Sequence, residues 1–211
     1  MMNTIHVTNH SDGTKMAGIQ SISTSCLHNP ICQERAKDVY SVCAHCYAQR
    51  LCKFRTTLQR NLEENSAVLS SRLLKPSEAA AVNISTVIGR IESFGDVANV
   101  IQARNYIRII RAHKATRFGI WSKNWGIWHA AFKLEGKPKN CTFVLSSMHL
   151  NQPAEVHDMM RKYVDHVFTV WTKDRYAEFE GGPTECAGLS CMKCQKCYHK
   201  GGSFEINEKL R

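Results

Sequence analysis

The chain alternates between two patterns of apolar residues. Four segments rich in β-branched and aromatic residues end in small or polar residues, as buried strands do: NISTVIGRIESFGD (83–96), TRFGIWSK (116–123), NCTFVLSS (140–147) and DHVFTVWTK (165–173). The segment GIQSIST (18–24) predicts a first strand ahead of these four.

Three other segments place apolar residues three and four positions apart, which predicts helices. These residues are Leu58, Leu62, Leu69 and Leu73, in a helix from about 49 to 75; Ala103, Tyr106, Ile107 and Ile110; and Val156, Met159, Met160, Tyr163 and Val164. Pro153 suits the first turn of the last helix. Strands and helices in alternation predict an α/β fold with an open parallel sheet or a partial (β/α) barrel. Its sites should lie at the carboxyl ends of the strands.

The length of 211 residues and the hydrophobic content of 43% suffice for one domain with its own core. We expect that domain to span residues 1–180, and residues 181–211 to form a cysteine-rich appendage after Gly181-Gly182-Pro183. The start of the chain lacks the apolar region of a secretory signal, and no apolar run is long enough to span a membrane. We therefore expect a cytoplasmic protein without a membrane partner.

Ten cysteines change this picture, because thiols in a reducing compartment are more often metal ligands than disulfide partners. Nine of them fall into two groups. The N-terminal thiol set comprises Cys26, Cys32, Cys43, Cys46 and Cys52, and the C-terminal thiol set comprises Cys186, Cys191, Cys194 and Cys197. Only Cys141 is isolated, in a predicted buried strand, where we expect it to pack as an inert core residue.

The C-terminal thiol set has the spacing C-x4-C-x2-C-x2-C. Closely repeated cysteines of this kind suit an iron–sulfur cubane, and ferredoxins use similar runs. Zinc is the alternative metal, although zinc sites more often use two separated C-x2-C pairs. The closing segment GGSFEINEKLR has too few apolar residues for a core, so bound metal would substitute for one.

The pair Cys43 and Cys46 lies in the loop after the predicted first strand and before the first helix, where radical S-adenosylmethionine (SAM) enzymes hold a three-cysteine cluster. Their C-x3-C-x2-C motif is not matched, because residue 39 is Val. Cys26 or Cys32 would have to replace the first cysteine before Cys43 and Cys46. Three thiolates would leave one iron of a cubane open to SAM, whereas four would close the cluster.

The predicted strand at 83–96 ends in Phe94-Gly95-Asp96. One interpretation is a cofactor site in which Gly95 permits close backbone approach and the Asp96 carboxylate accepts the amino group of SAM. The other is a turn in which Asp96 caps a helix that begins at Val97. Both interpretations place these residues at the same sheet edge as the N-terminal thiol set.

These residues resemble the phage gene product 88 family over most of the chain. The matching stretches are KMAGIQSISTSC, CAHCYAQR, RNLEEN, GRIESFGD, FGIWSKN, CTFVLSS and CAGLSCMKCQKCYHKGG. In that family a first cysteine, matching Cys26, is followed by a second, matching Cys32, and by a Cys-Tyr-Ala motif, matching Cys46. This chain has a longer gap before that motif and the extra Cys43, so Cys32 and Cys43 remain alternatives for the middle ligand. The resemblance implies a phage context and supports paired cysteine sets, without supplying a reaction.

Three functions remain open. The first is a radical-SAM-like iron–sulfur protein, as an enzyme or not, with [4Fe-4S] clusters. The second is a metal-stapled nucleic-acid-binding module without catalysis, in keeping with the formal net charge of +10. Its candidate contacts are a helical stripe and three nearby tryptophans: Arg104, Arg108 and Arg111, and Trp121, Trp125 and Trp128. The third is electron transfer with a redox partner of phage or host.

Overall fold

The computed structural model describes residues 4–186, 188, 190–201 and 204–210. Within this range, seven strands form one sheet whose spatial order follows the chain order. They are β1 (Thr8–Asn9), β2 (Gln20–Ile22), β3 (Ile88–Ile91), β4 (Arg117–Ser122), β5 (Cys141–Ser146), β6 (His166–Trp171) and β7 (Glu205–Lys209). Strand β1 pairs antiparallel with β2, and every later pair is parallel. The protein is therefore an α/β protein with a mostly parallel sheet.

The helices connect these strands. They are α1 (Pro30–Arg35), α2 (Tyr47–Phe54), α3 (Thr56–Ser71), α4 (Pro76–Ala80), α5 (Val100–Ala112), α6 (Trp125–Glu135), α7 (Lys173–Tyr176) and α8 (Cys191–Cys194). Short 3-10 helices span Val42–His45, Asp158–Met160, Ala177–Phe179 and Lys196–Tyr198. None of the helices in the described ranges is long and apolar enough to cross a membrane.

The two faces of the sheet are covered differently. Residues such as Ile91, Ile120 and Phe143 pack against α3 to α6 in the larger core. Alternate residues point to the other face, where Trp121 packs with Tyr198 from the C-terminal segment. Gly119 makes room for this contact, because a Cβ there would lie 2.9 Å from the Tyr198 ring. The C-terminal segment thus covers the face that the main helices leave open.

All five predicted strands are present as β2 to β6, and the predicted helix after β3 is α5. The predicted helix at 49–75 is two helices, α2 and α3, separated at Arg55 with non-helical φ and ψ of −111° and 81°. The predicted helix at 153–164 is wrong: only Asp158–Met160 is helical. Here Val156 reaches the core from extended chain, and the His157 ring caps the short turn by accepting from the Met159 amide.

The segment predicted as an appendage contributes directly to the sheet. Strand β7 pairs with β6, and Cys186 N donates to Asn207 O. Tyr198, 2% exposed, anchors the segment on β4 and β5. Residues 187, 189, 202, 203 and 211 of this segment lie outside the described residues. Among the described residues the C-terminal segment is an edge strand and a cover of the main domain.

Candidate functional site

The N-terminal thiol set lies at the carboxyl end of β2. Cys26 follows that strand in a loop, Cys46 immediately precedes α2, and Cys52 lies within α2. The Cys26 and Cys52 side chains are both 2% exposed. The thiols of Cys46 and Cys52 each interact with the Cys26 thiol, so three cysteines from two separate segments meet at one point of the sheet edge. We call Cys26, Cys46 and Cys52 the N-terminal trio.

The N-terminal trio shares its protons unequally. The hydrogen bond with the Cys26 thiol lowers the pKa of Cys46 to about 6 and also lowers the pKa of Cys52. The same two hydrogen bonds raise the pKa of Cys26. The Ala48 and Gln49 amides at the start of α2 also favour the Cys46 thiolate, although no capping bond of regular geometry forms there. The thiolate is the form that binds metal, and this environment favours it at Cys46 and Cys52 while Cys26 keeps its proton.

The other two cysteines of the N-terminal thiol set are Cys32 and Cys43. Cys32 lies within α1 and is 8% exposed, and burial raises the pKa of its thiol. The charges that act on it most strongly after burial are those of Asp96 and Cys43. Cys32 thus lies beside Cys43 and Asp96, and it also belongs to the same buried cluster as Cys26, Cys46 and Cys52.

Asp96 reaches the same sheet edge but is already engaged. Its Oδ1 accepts from Val97 N at 2.8 Å and from Ser122 Oγ at 2.5 Å. Its Oδ2 accepts from Lys123 N at 2.9 Å and lies 3.5 Å from Arg35 Nη1. The side chain joins the ends of β3 and β4 through these contacts, and Oδ2 accepts only one of the three hydrogen bonds.

Gly95 is explained by packing. A Cβ at this position would lie 2.6 Å from the Thr24 carbonyl oxygen, so only glycine lets the loop after β3 approach the loop after β2 so closely. The predicted helix start at Val97, capped by Asp96, is wrong. Helix α5 begins at Val100, where the Asn99 side chain caps it by accepting from Gln102 N.

Glu92 is a buried carboxylate that the sequence reasoning missed. It follows β3 with φ of 59°, a left-handed conformation that is strained for a non-glycine residue. It accepts from Thr24 Oγ1 at 2.8 Å, Gln102 Nε2 at 2.9 Å and Tyr106 Oη at 2.5 Å. Burial raises its pKa to about 7. Glu92 therefore fixes the loop that leads to Cys26. An acidic residue inside the apolar run GRIESF was the available signal.

The C-terminal thiol set lies on the sheet face opposite the main helices. Cys186 Sγ accepts from Lys15 Nζ at 2.8 Å, and that ammonium also lies 2.6 Å from Glu208 Oε1. Burial raises the pKa of Cys191 and Cys197, and the charge of Cys186 raises both further. Cys194 is exposed and also acts on Cys191. All four thiols thus share one neighbourhood.

Both thiol groups suit iron–sulfur clusters in donor chemistry. Within the described ranges, no group of three or more His, Cys, Asp or Glu side chains is arranged to hold a single metal ion. A cubane attaches each thiolate to a different iron, so the thiols of the N-terminal trio, which interact directly, would have to move apart to hold one. All ten cysteines are free thiols, and Cys141 is a core residue, 1% exposed, with its pKa raised to about 12 by burial.

The proposed nucleic-acid contacts are largely occupied within the fold. Glu135 of α6 forms ion pairs with all three arginines of the stripe, at 2.8 Å (Arg104), 3.4 Å (Arg108) and 3.3 Å (Arg111). Trp121 and Trp128 are buried, and Trp125 stacks on His157 with 4.7 Å between ring centroids.

Comparison with known proteins adds no relative: no family model, curated protein or solved structure matches this chain.

Proposed function

We propose that this protein is an iron–sulfur protein with two cluster sites: the N-terminal trio holds one [4Fe-4S] cluster and the C-terminal thiol set holds the other. The observation that carries the proposal is the meeting of Cys26, Cys46 and Cys52 at the carboxyl edge of the parallel sheet. Sites of α/β proteins form at that edge. The proposal keeps the phage context and the cytosolic location that the sequence led us to expect.

We take Cys52 as the third ligand because its thiol interacts with that of Cys26. Cys32 packs in the same buried cluster as Cys26, Cys46 and Cys52 and is the alternative ligand. Three thiolates saturate three irons of a cubane and leave the fourth for another ligand. When bound, such a cluster supplies one-electron chemistry, and an open iron adds a position for a small molecule.

A radical-SAM-like scaffold is the form of the proposal that predicts a reaction class. Its support is a parallel sheet with strands in chain order and the main helices on one face, as in a partial barrel. SAM is then the proposed ligand of the open iron. Asp96 is the proposed acceptor of the SAM amino group, because its Oδ2 accepts one hydrogen bond and keeps a further lone pair.

Metal analysis of protein purified without oxygen tests the cluster proposal. We expect iron and sulfide in equal amounts and a broad visible absorption near that of cubane proteins. Zinc without iron or sulfide would replace the clusters by zinc sites. In the reduced protein, SAM should change the electron paramagnetic resonance spectrum of the cluster, while adenosine, which lacks the methionine group, should not. An unchanged spectrum would leave a closed electron-transfer cluster as the function.

A further inference from the structure

Arg90 lies on the sheet face opposite the main helices and has no charged partner among the residues that the structure describes. Its guanidinium stacks on Trp121 at 4.0 Å from the ring centroid. Its Nη1 reaches only the Met16 sulfur, at 3.7 Å, and its buried Nε has no hydrogen-bond partner. Among the described residues, no Asp or Glu forms an ion pair with it.

An arginine cannot shed its proton, so an unpaired guanidinium in this position is costly. The groups that face it are Tyr47, Tyr198, Cys191 and Cys197, together with His10. Burial raises the pKa of both tyrosines, so they remain neutral phenols, and His10 is neutral because burial and then Arg90 lower its pKa to about 4. Only the two thiols become anions when metal binds.

We propose that Arg90 is the counter-cation of the metal–thiolate centre held by Cys186, Cys191, Cys194 and Cys197. This inference rests on the proposed function of the C-terminal thiol set. A cubane with four thiolates carries a net charge of about −2. Lys15, the other nearby cation, is already paired with Glu208. Arg90 is therefore the cation whose charge is uncompensated until the centre is loaded.

The proposal predicts opposite effects in the two states of the protein. Arg90→Met removes the charge and keeps an apolar chain on Trp121. The metal-free protein should unfold at the same temperature as wild type or higher, because no ion pair is lost. The metal-loaded centre should weaken roughly 10- to 100-fold, the usual cost of removing a group that supports metal ligands. A residue that only filled space would lower the stability of the metal-free protein instead.

A Co²⁺ titration of the reduced, metal-free, full-length chain measures this effect through the cobalt–thiolate absorption. The part of the signal that Cys194→Ser abolishes belongs to the C-terminal thiol set. For that part, Arg90→Met should weaken Co²⁺ binding, Arg90→Lys should largely restore it, and Arg60→Met should leave it unchanged. Arg60 is an exposed residue of α3 and matches the change in net charge.

The contrary outcomes separate the two proposals. If wild type shows neither a Cys194-dependent cobalt signal nor Cys194-dependent iron after anaerobic reconstitution, the metal site itself is wrong. If the signal is present and Arg90→Met binds Co²⁺ as wild type does, only the role of Arg90 is wrong. A second experiment measures stabilisation by inorganic phosphate. Stabilisation of metal-free wild type by phosphate, absent in Arg90→Met, would assign Arg90 to a free anion and overturn its role as counter-cation.

Discussion

The two thiol groups differ in what positions them. The N-terminal trio is held by the fold: Cys26 follows a central strand, and Cys46 and Cys52 are set by α2. The C-terminal thiol set lies in a segment with little core of its own, where Cys194 is exposed and Tyr198 is the main anchor. The fold therefore positions the N-terminal trio without metal, whereas the order of the segment that carries the C-terminal thiol set should depend on metal.

The electrostatic surroundings of the two thiol groups also differ. In the N-terminal trio, thiol–thiol interaction lowers the pKa of Cys46 and Cys52. In the C-terminal thiol set, burial raises the pKa of Cys191 and Cys197. Of the two cations nearby, Lys15 is paired with Glu208, whereas Arg90 forms no ion pair with any described residue. The N-terminal trio therefore has two cysteines whose surroundings favour the thiolate. The C-terminal thiol set instead has a cation, Arg90, that can balance the charge of a bound centre.

Loss of the C-terminal metal should have the largest structural effect. With Cys194→Ser, we expect proteolytic cleavage within residues 181–204 to accelerate about tenfold or more, because local opening no longer has to break metal bonds. Cys26→Ser is the matched variant and should leave cleavage of this segment unchanged. Equal protection of the segment in wild type and Cys194→Ser would show that its order does not depend on metal.

Glu92, next to the loop that leads to Cys26, should make the stability of the protein depend on pH. Its folded pKa of about 7 exceeds its usual value of 4.5, so the folded state keeps a proton that the unfolded state releases. The free energy of unfolding should therefore fall as pH rises from 4.5 to about 7, by about 3 kcal/mol in total. Denaturant unfolding of the metal-free chain at several pH values measures this slope.

Glu92→Gln should flatten that pH dependence, since the amide does not titrate. The exposed Glu155→Gln is the control and should keep it. The same slope in wild type and Glu92→Gln would assign the dependence to another group.

Glu135 belongs to neither thiol group, and its substitution should have the smallest effect on stability. It is 14% exposed and faces three arginines, so Glu135→Gln should lower the free energy of unfolding by about 1 kcal/mol. It should not change the metal content. It also frees the arginine stripe. If the stripe binds phosphates, Glu135→Gln should strengthen salt-sensitive binding to DNA in a filter or anisotropy assay, and no binding by either form would remove that function.

The sequence was informative where the pattern is local. The buried strands alternate with helices strongly enough that β2 to β6 could be placed from apolar runs alone, and both cysteine sets stood out by spacing. The choice of Cys52 could not be made, because it depends on how α2 turns toward Cys26. Strand β7 has only Ile206 as an apolar residue, so its pairing with β6 comes from tertiary context.

Two local errors have the same origin. The apolar spacing at 153–164 suits a helix, yet contacts of Val156 and His157 with the body of the protein hold an extended path. Glu92 adopts its left-handed conformation because four donor groups from two neighbouring segments, the loop after β2 and helix α5, fix its carboxylate. In both places, long-range contacts outweigh the local preference of the chain.

Iron content of two single variants tests the central claim most directly. Cys52→Ser and Cys43→Ser, prepared and reconstituted without oxygen beside wild type, differ only in which cysteine of the N-terminal thiol set is lost. We predict that Cys52→Ser binds about four irons fewer than wild type, the content of one cubane, and that Cys43→Ser binds the same amount as wild type. Full iron in Cys52→Ser together with loss of one cluster in Cys43→Ser would contradict the account.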